Sequence, residues 1–381
     1  MNYIYLSVNV PAEMEKSPKF MEQFYTSLWG MQSSGSWSEK FWDGRQQVYL
    51  SFELVGISGS MRFIIRTPAQ FRDLVEAQLY SEYPEAEVTE VEDYAQNLTW
   101  EKASRDYDTF GAEMELSKPD AYPIRTYMEF EHSLTQQILD PISNFAETFT
   151  QLQPDEQVWV QILAAPMPPG DKWMTEGGDL VKKLMHRKEE DAKIIPEIPI
   201  LNQFLGDTTS VISQAPGAMF EVPVASRQDV PPEFRELFIT SPGERTDLEA
   251  LERNMSKVGF SVKIRWIYIA PKEASRKEAI VSAVFGLWNQ YGTQNLNGIK
   301  PNKKFWTKVD YFLPKTRVKS RMNKVFWRYQ DRDYRMGGKP FILTTEEMAT
   351  IFHFPSITVQ APQLERIESK KGEPPANLPV V

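Results

Sequence analysis

The first ninety or so residues switch between two periodicities in a fixed order, and that order limits the architecture more than any other feature of the chain. "YIYLSVNVP" (3–11) has the aromatic and β-branched content of a strand. "PKFMEQFYTSLWG" (18–30) follows, with Phe20, Phe24, Ser27 and Leu28 at helical spacing before a glycine stop. "VYLSFELVGISGSMRFIIRTP" (48–68) reads as two strands around a Gly/Ser turn. A helix over 68–84 then carries Phe71, Leu74, Val75, Gln78 and Leu79 on one stripe, and "AEVTEVED" (86–93) is again a strand. β-α-β-β-α-β is the order of a split βαβ, ferredoxin-like unit, in which two helices cover one face of a four-stranded antiparallel sheet. Many unrelated functions use that scaffold, so it assigns none.

A second unit is expected after "SKPDAYP" (117–123), with a strand over 124–131, a helix over 140–152 and a strand over 156–166. Asp140 followed by Pro141 is favourable chemistry for starting that helix. Residues 167–240 interrupt the unit with a short charged helix and a stretch rich in proline and small polar residues. Order returns with a helix over 241–259 and with "FSVKIRWIYIAP" (260–271), the strongest strand in the chain, which sets Val262, Ile264, Trp266 and Tyr268 against Lys263, Arg265, Ile267 and Ile269. A helix over 272–291 follows. The expected fold is α+β, with tandem ferredoxin-like units built on antiparallel sheets. Residues 1–116 form the first domain, 117–166 with 241–355 the second, 167–240 an irregular insertion, and 356–381 an extended C-terminal strap.

Several chemistries lack their raw material. The absence of cysteine removes disulfides, thiolate metal sites and thiol nucleophiles. His132, His186 and His353 lie far apart, and no metal ligand set, cofactor site or catalytic group is expected. "MGGKPF" (336–341) lacks the upstream glycine and the following hydroxyl of a phosphate loop, and "GISGS" (56–60) reads better as a hairpin turn than as a nucleophile elbow. No apolar run reaches the roughly 20 residues of a membrane span. The chain reads as soluble and cytoplasmic, with the inner face of the cell membrane as a further location.

Charge is distributed unevenly. Net charge is −9, yet residues 300–339 hold thirteen Lys/Arg against Asp310, Asp331 and Asp333. The candidate anion-binding residues are Lys300, Lys303, Lys304, Lys308, Lys315, Arg317, Lys319, Arg321, Lys324 and Arg328. Phe305, Trp306, Tyr311, Phe312, Phe326, Trp327, Tyr329 and Tyr334 are interleaved with them, a mixture that tracks a phosphate backbone and stacks on bases. A second reading stays open. In it, 304–313 is an edge strand and 316–332 a helix that lays Val318, Met322, Val325 and Phe326 on the core with its cations outward. An anionic membrane surface or an acidic protein would suit the same charge. In "LTTEEMATIFHFPS" (343–356), Thr344 or Thr345 caps a helix whose buried stripe is Met348, Ile351 and Phe352, and His353 is a packing or hydrogen-bonding residue.

"AYPIRTYMEFE", "VKIRWIYIAPKEA", "AVFGLWNQYGTQNLNGIKP" and "ILTTEEMATIFHFPS…EPPANLP" resemble an uncharacterised bacterial family related to the amino-terminal, pre-motor regions of type IV secretion and HerA/FtsK-type conjugation ATPases. The similarity runs from about Tyr3 to Pro379. It implies a non-catalytic adaptor or scaffold whose C-terminal region, through His353, Pro355, Pro374, Pro375 and Pro379, docks a motor carried on another chain or removed from this one. It also implies DNA as a partner, peripheral membrane association, and a homo-oligomer that is hexameric if it follows its motor. A nucleic-acid-binding protein using residues 300–339 is the alternative.

Overall fold

The structure is a computed structural model, and it describes residues 2–11, 14, 16–31, 48–130, 140–168, 172–184, 242–308 and 314–356. Its strands are β1 (Tyr3–Asn9), β2 (Leu50–Ile57), β3 (Ser60–Pro68), β4 (Glu87–Val91), β5 (Tyr107–Leu116), β6 (Gln157–Pro166), β7 (Gly259–Pro271), β8 (Ile299–Pro301) and β9 (Phe341–Thr344). Its α-helices are α1 (Pro18–Trp29), α2 (Arg72–Glu82), α3 (Trp100–Asp106), α4 (Ile142–Thr150), α5 (Lys172–Leu184), α6 (Pro242–Met255), α7 (Lys277–Asn289), α8 (Pro314–Gln330) and α9 (Thr345–Ile351).

The α+β class is the expected one, and all nine strands share a single antiparallel sheet. Its order is β4-β1-β3-β2-β6-β7-β5-β8, with β9 pairing the first residues of β7. Counted from their own first strand, β1 to β4 lie fourth-first-third-second. β5 to β8 repeat that plan when read from the opposite edge. The halves meet at β2 and β6, whose register runs through eight pairs from Leu50↔Ala164 to Ile57↔Gln157.

Alternation along the strands divides the apolar residues between two faces. Val262, Ile264, Trp266 and Tyr268 of β7 join Phe52, Leu54, Val160 and Ile162 on the face covered by α1, α2, α4, α7 and α9. Ile267 and Ile269 point the other way, with Val55, Ile64 and Trp159, under α3 and α8. Each of these fully buried side chains contributes roughly 1.5–3 kcal/mol.

Some expectations need correction. The α1 stripe is turned: Met21 and Tyr25 are buried beside Phe24 and Leu28, while Phe20 is 38% exposed. Residues 124–130 of the expected strand over 124–131 are not a strand, and Tyr127–Phe130 is a single 3-10 turn; residue 131 lies outside the described residues. The backbone donors there go elsewhere: Ile124 N–H donates to Glu347 Oε1 (2.8 Å), Arg125 N–H to the Tyr291 carbonyl (2.9 Å) and Tyr127 N–H to Thr350 Oγ1 (2.9 Å). The first strand of the second half is β5, which pairs with β7 and β8, so the sheet does not divide at residue 116. Residues 304–308 are turn and coil, not an edge strand; 309–313 lie outside the described residues. So do most of the expected insertion and all of the strap beyond Ser356.

Candidate functional site

The structure sorts the cations of 300–339 into two neighbouring groups. One is α8, which lays Met322, Val325, Phe326 and Tyr329 on the sheet at helical spacing. Phe326 and Tyr329 meet Trp159 at 6.4 and 5.6 Å between ring centroids, and Phe326 meets Trp100 at 5.7 Å. Gly111 of β5 lets the helix come this close, because a Cβ there would stand 2.8 Å from Val325 Cγ1. Lys315, Arg317, Lys319 and Lys324 are left exposed. Arg321 and Arg328 are half-buried: Arg321 donates to the carbonyl of Lys308 (3.0 Å), and Arg328 pairs with Glu113 (3.3 Å).

Local energetics oppose this helix. It carries six cations and no carboxylate, and none of its first-turn residues is acidic. Lys315 and Arg317 therefore face the positive end of the helix dipole. The i,i+4 pairs Lys315/Lys319, Arg317/Arg321 and Lys324/Arg328 repel.

What holds α8 down is a row of polar side chains that sequence reading missed. Register places Glu53, Gln161, Arg265 and Glu113 side by side across β2, β6, β7 and β5. All four are buried. The segment after Trp327 lies along the row and bonds to each of its four side chains, while Gln161 Oε1 and Arg265 Nε are buried without a hydrogen-bond partner. Arg332 donates to both oxygens of Glu53 (3.1 Å each) and to Asp93 (2.6 Å). Tyr94 adds its hydroxyl to Glu53 (2.7 Å). Gln161 donates to the Tyr329 carbonyl (3.0 Å), and Arg265 to the carbonyls of Arg328 (2.6 Å) and Asp333 (2.7 Å). Gly338 N–H donates to Glu113 (2.6 Å). The one available signal was the pair Lys263 and Arg265 on the second face of an otherwise apolar strand.

The second group surrounds a groove of about 860 Å³. It opens where β5 parts from β7, beyond the Glu113↔Arg265 pair, while β9 takes the vacated side of β7. Lys300, Lys303 and Lys304 line it together with Lys118 and Lys339. Lys308, exposed, lies between the two groups.

Among the described residues, the interleaved aromatics do not form a stacking track. Phe326 and Tyr329 are buried, Trp306 packs against the core, and Tyr334 donates to Ser261 Oγ (2.6 Å). Trp327, 48% exposed, is the large aromatic that α8 presents to solvent. Tyr311 and Phe312 lie outside the described residues.

The residues expected to dock a motor separate in the same way. His353 is 1% exposed, its Nδ1 facing the Ala349 carbonyl (2.8 Å) and its Nε2 facing Asp140 Oδ1 (2.7 Å). Pro355 is buried, and Pro374, Pro375 and Pro379 lie outside the described residues. Among the described residues, no three His, Asp or Glu side chains converge as a metal site, and no helix is long and apolar enough to cross a membrane.

Comparison with known proteins adds a family. A match to the description Domain of unknown function (DUF8128) runs over residues 6–366, nearly the whole chain and all of the described sheet except the first residues of β1. The chain belongs to that family. The DUF8128 match takes in β2 to β9, α8 and the groove, so both cationic groups fall inside it. No curated protein matches the chain.

Proposed function

We propose that the chain is a non-catalytic binding module that holds a nucleic-acid backbone against the outward face of α8. One observation carries this reading: a helix packed firmly by its apolar stripe and polar row carries six cations and no carboxylate, with Lys315, Arg317, Lys319 and Lys324 exposed, at a cost to its own stability. Local rules broken without local compensation mark functional surfaces. With Trp306, Phe326 and Tyr329 committed to packing and Trp327 the large aromatic that α8 exposes, the contact expected is chiefly with phosphates and not with a run of stacked bases. A duplex fits it better than a flexible single strand.

The trade between stability and binding gives the test. Lys319→Glu with Lys324→Glu should cut affinity for a short DNA duplex by about a hundredfold, and wild-type affinity should fall by a similar factor between roughly 50 and 200 mM salt. Lys315→Glu should weaken binding while raising stability by about 0.3–1 kcal/mol, because it places an anion at the helix N-terminus. Duplex affinity unchanged in the Lys319/Lys324 pair, measured by fluorescence anisotropy, would overturn the reading.

An adaptor role beside a HerA/FtsK-type motor is favoured by a different observation. The last described residue, Ser356, leaves the fold from a fixed point, its N–H held by Asp140 Oδ2 at 3.1 Å. In this reading, residues 357–381 join the module to its motor. Their deletion should leave duplex affinity intact and abolish co-purification with the motor.

A further inference from the structure

We infer that the groove at the fork of the sheet is a binding site for a nucleoside phosphate, with the phosphates among Lys303, Lys304 and Lys339 and the base against Phe305 and Pro340. The inference goes beyond the α8 reading, since it concerns different lysines on different elements.

The groove is built, not incidental. Lys300 is fixed on β8 by its register opposite Glu115, and the two side chains lie 3.8 Å apart. Lys118 Nζ is held by the carbonyls of Gln294 (3.0 Å) and Asn295 (2.5 Å), so it sits at the rim without closing it. Lys339 follows a turn that tolerates little change. Gly337 has φ +103, where a side chain is strained, and Gly338 N–H is bonded to the buried Glu113 carboxylate. The Asn302 side chain accepts from Lys304 N–H (3.0 Å), fixing the loop that carries Lys303 and Lys304. A rim whose backbone is set before the ligand arrives loses little entropy on binding.

Chemistry narrows the ligand. Exposed Lys303, Lys304 and Lys339 call for a compact polyanion. The floor is apolar, with Leu116, Pro301, Phe305, Pro340 and Phe341, which gives a bare inorganic anion nothing to cover. About 860 Å³ lies within the range of small-molecule sites. A flat base with a phosphate tail uses both parts. Asp120, also on the lining, is pushed up to about 6 by burial, with Ile342 N–H opposing and Glu176 adding to the shift. Below that pH it loses its charge, and the groove, lined otherwise by Glu115 and the five lysines, becomes more attractive to an anion.

Calorimetric titration of the full chain with ADP tests this. ADP should bind about tenfold more tightly than inorganic pyrophosphate or adenosine, as expected if floor and rim both contribute. Lys303→Ala with Lys304→Ala, or Lys339→Ala if that pair fails to fold, should weaken ADP by about tenfold or more, and Asp120→Asn should tighten it. A 5′-phosphorylated oligonucleotide titrated against the Lys319→Glu/Lys324→Glu protein distinguishes a strand end from a free nucleotide as the source of the same chemistry. Binding of either supports the inference. Absence of binding by both, pyrophosphate binding as tightly as ADP, or indifference to the lysine variants would overturn it. Because the α8 variants read duplex affinity and the groove variants read ADP, one proposal can fail while the other stands.

Discussion

Arg332→Met is expected to destabilise the protein by about 3–5 kcal/mol, because it leaves Glu53 charged in the interior without its bidentate partner. Both side chains are 0% exposed, at the centre of the polar row. Arg332 also sits at φ +50, a backbone conformation that costs a side-chain-bearing residue roughly 1 kcal/mol or more and persists only where surrounding contacts outweigh it. Arg332→Lys should recover little, since an ammonium cannot reproduce the forked contact. Converting both partners, Glu53→Gln with Arg332→Met, should recover much of the loss, because no buried charge is then stranded. Urea denaturation of the single and double variants checks this. A single variant within about 1 kcal/mol of wild type would show that the row is not what fastens α8. Hydrogen exchange offers a local reading: amides of 328–338 should lose protection before those of β2 and β6.

Asp140→Ala is expected to cost a similar amount, about 3–5 kcal/mol, on the opposite face of the sheet. A carbonyl only accepts, so His353 Nδ1 carries a hydrogen toward Ala349. Asp140 accepts the N–H groups of Ile142 (2.9 Å) and Ser356 (3.1 Å), and its Oδ1 lies 2.7 Å from His353 Nε2. Burial alone would raise Asp140; the His353 charge, its hydrogen bond and the two backbone donors outweigh it and hold the carboxyl below its ordinary 3.8. A depressed carboxylate contributes stability that is present above its unfolded value and lost as pH falls through the folded one, so wild type should weaken below about pH 4. Glu347 acts in the opposite sense. Burial pushes it up to about 7, against the donors at Thr344 and Ile124, so ionising it costs stability as pH rises from its ordinary 4.5 toward 7. Stability should therefore peak at mildly acid pH. In Asp140→Ala the loss below about pH 4 should shrink while the decline toward 7 remains, and an unchanged acid limb would remove Asp140 from the account.

The elements of the amino-terminal half were legible because each is a local pattern. β1, α1, the β2-β3 hairpin, α2 and β4 each announce themselves within a dozen or so residues. β5 was not, since Gly111 and Glu113 dilute its alternation, and both are explained only by distant partners: Val325 over the glycine, Gly338 and Arg328 at the carboxylate. β8 and β9, at three and four residues, are too short to show a period. The capping box of α9, Thr344 with Glu347, was half visible, but nothing local indicates that Glu346 and Glu347 are both buried. Their partners Thr126, Lys257 and Ile124 come from far along the chain. The cations of the candidate interface were readable as residue types. Their division between a helix face and a groove was not, because it follows from where β5 leaves β7.

The repeated strand order has a consequence for ancestry. Two identical four-stranded units that paired through their second strands about a twofold axis would produce the same eight-strand sequence by symmetry alone, without a connecting peptide. Fusing such a dimer end to end would free each half to diverge, one toward an acidic edge at β4 and the other toward the lysines around β8. Residues 2–91, cut loose today, would expose Leu50, Phe52 and Leu54 along an unpaired border and be driven back toward self-association.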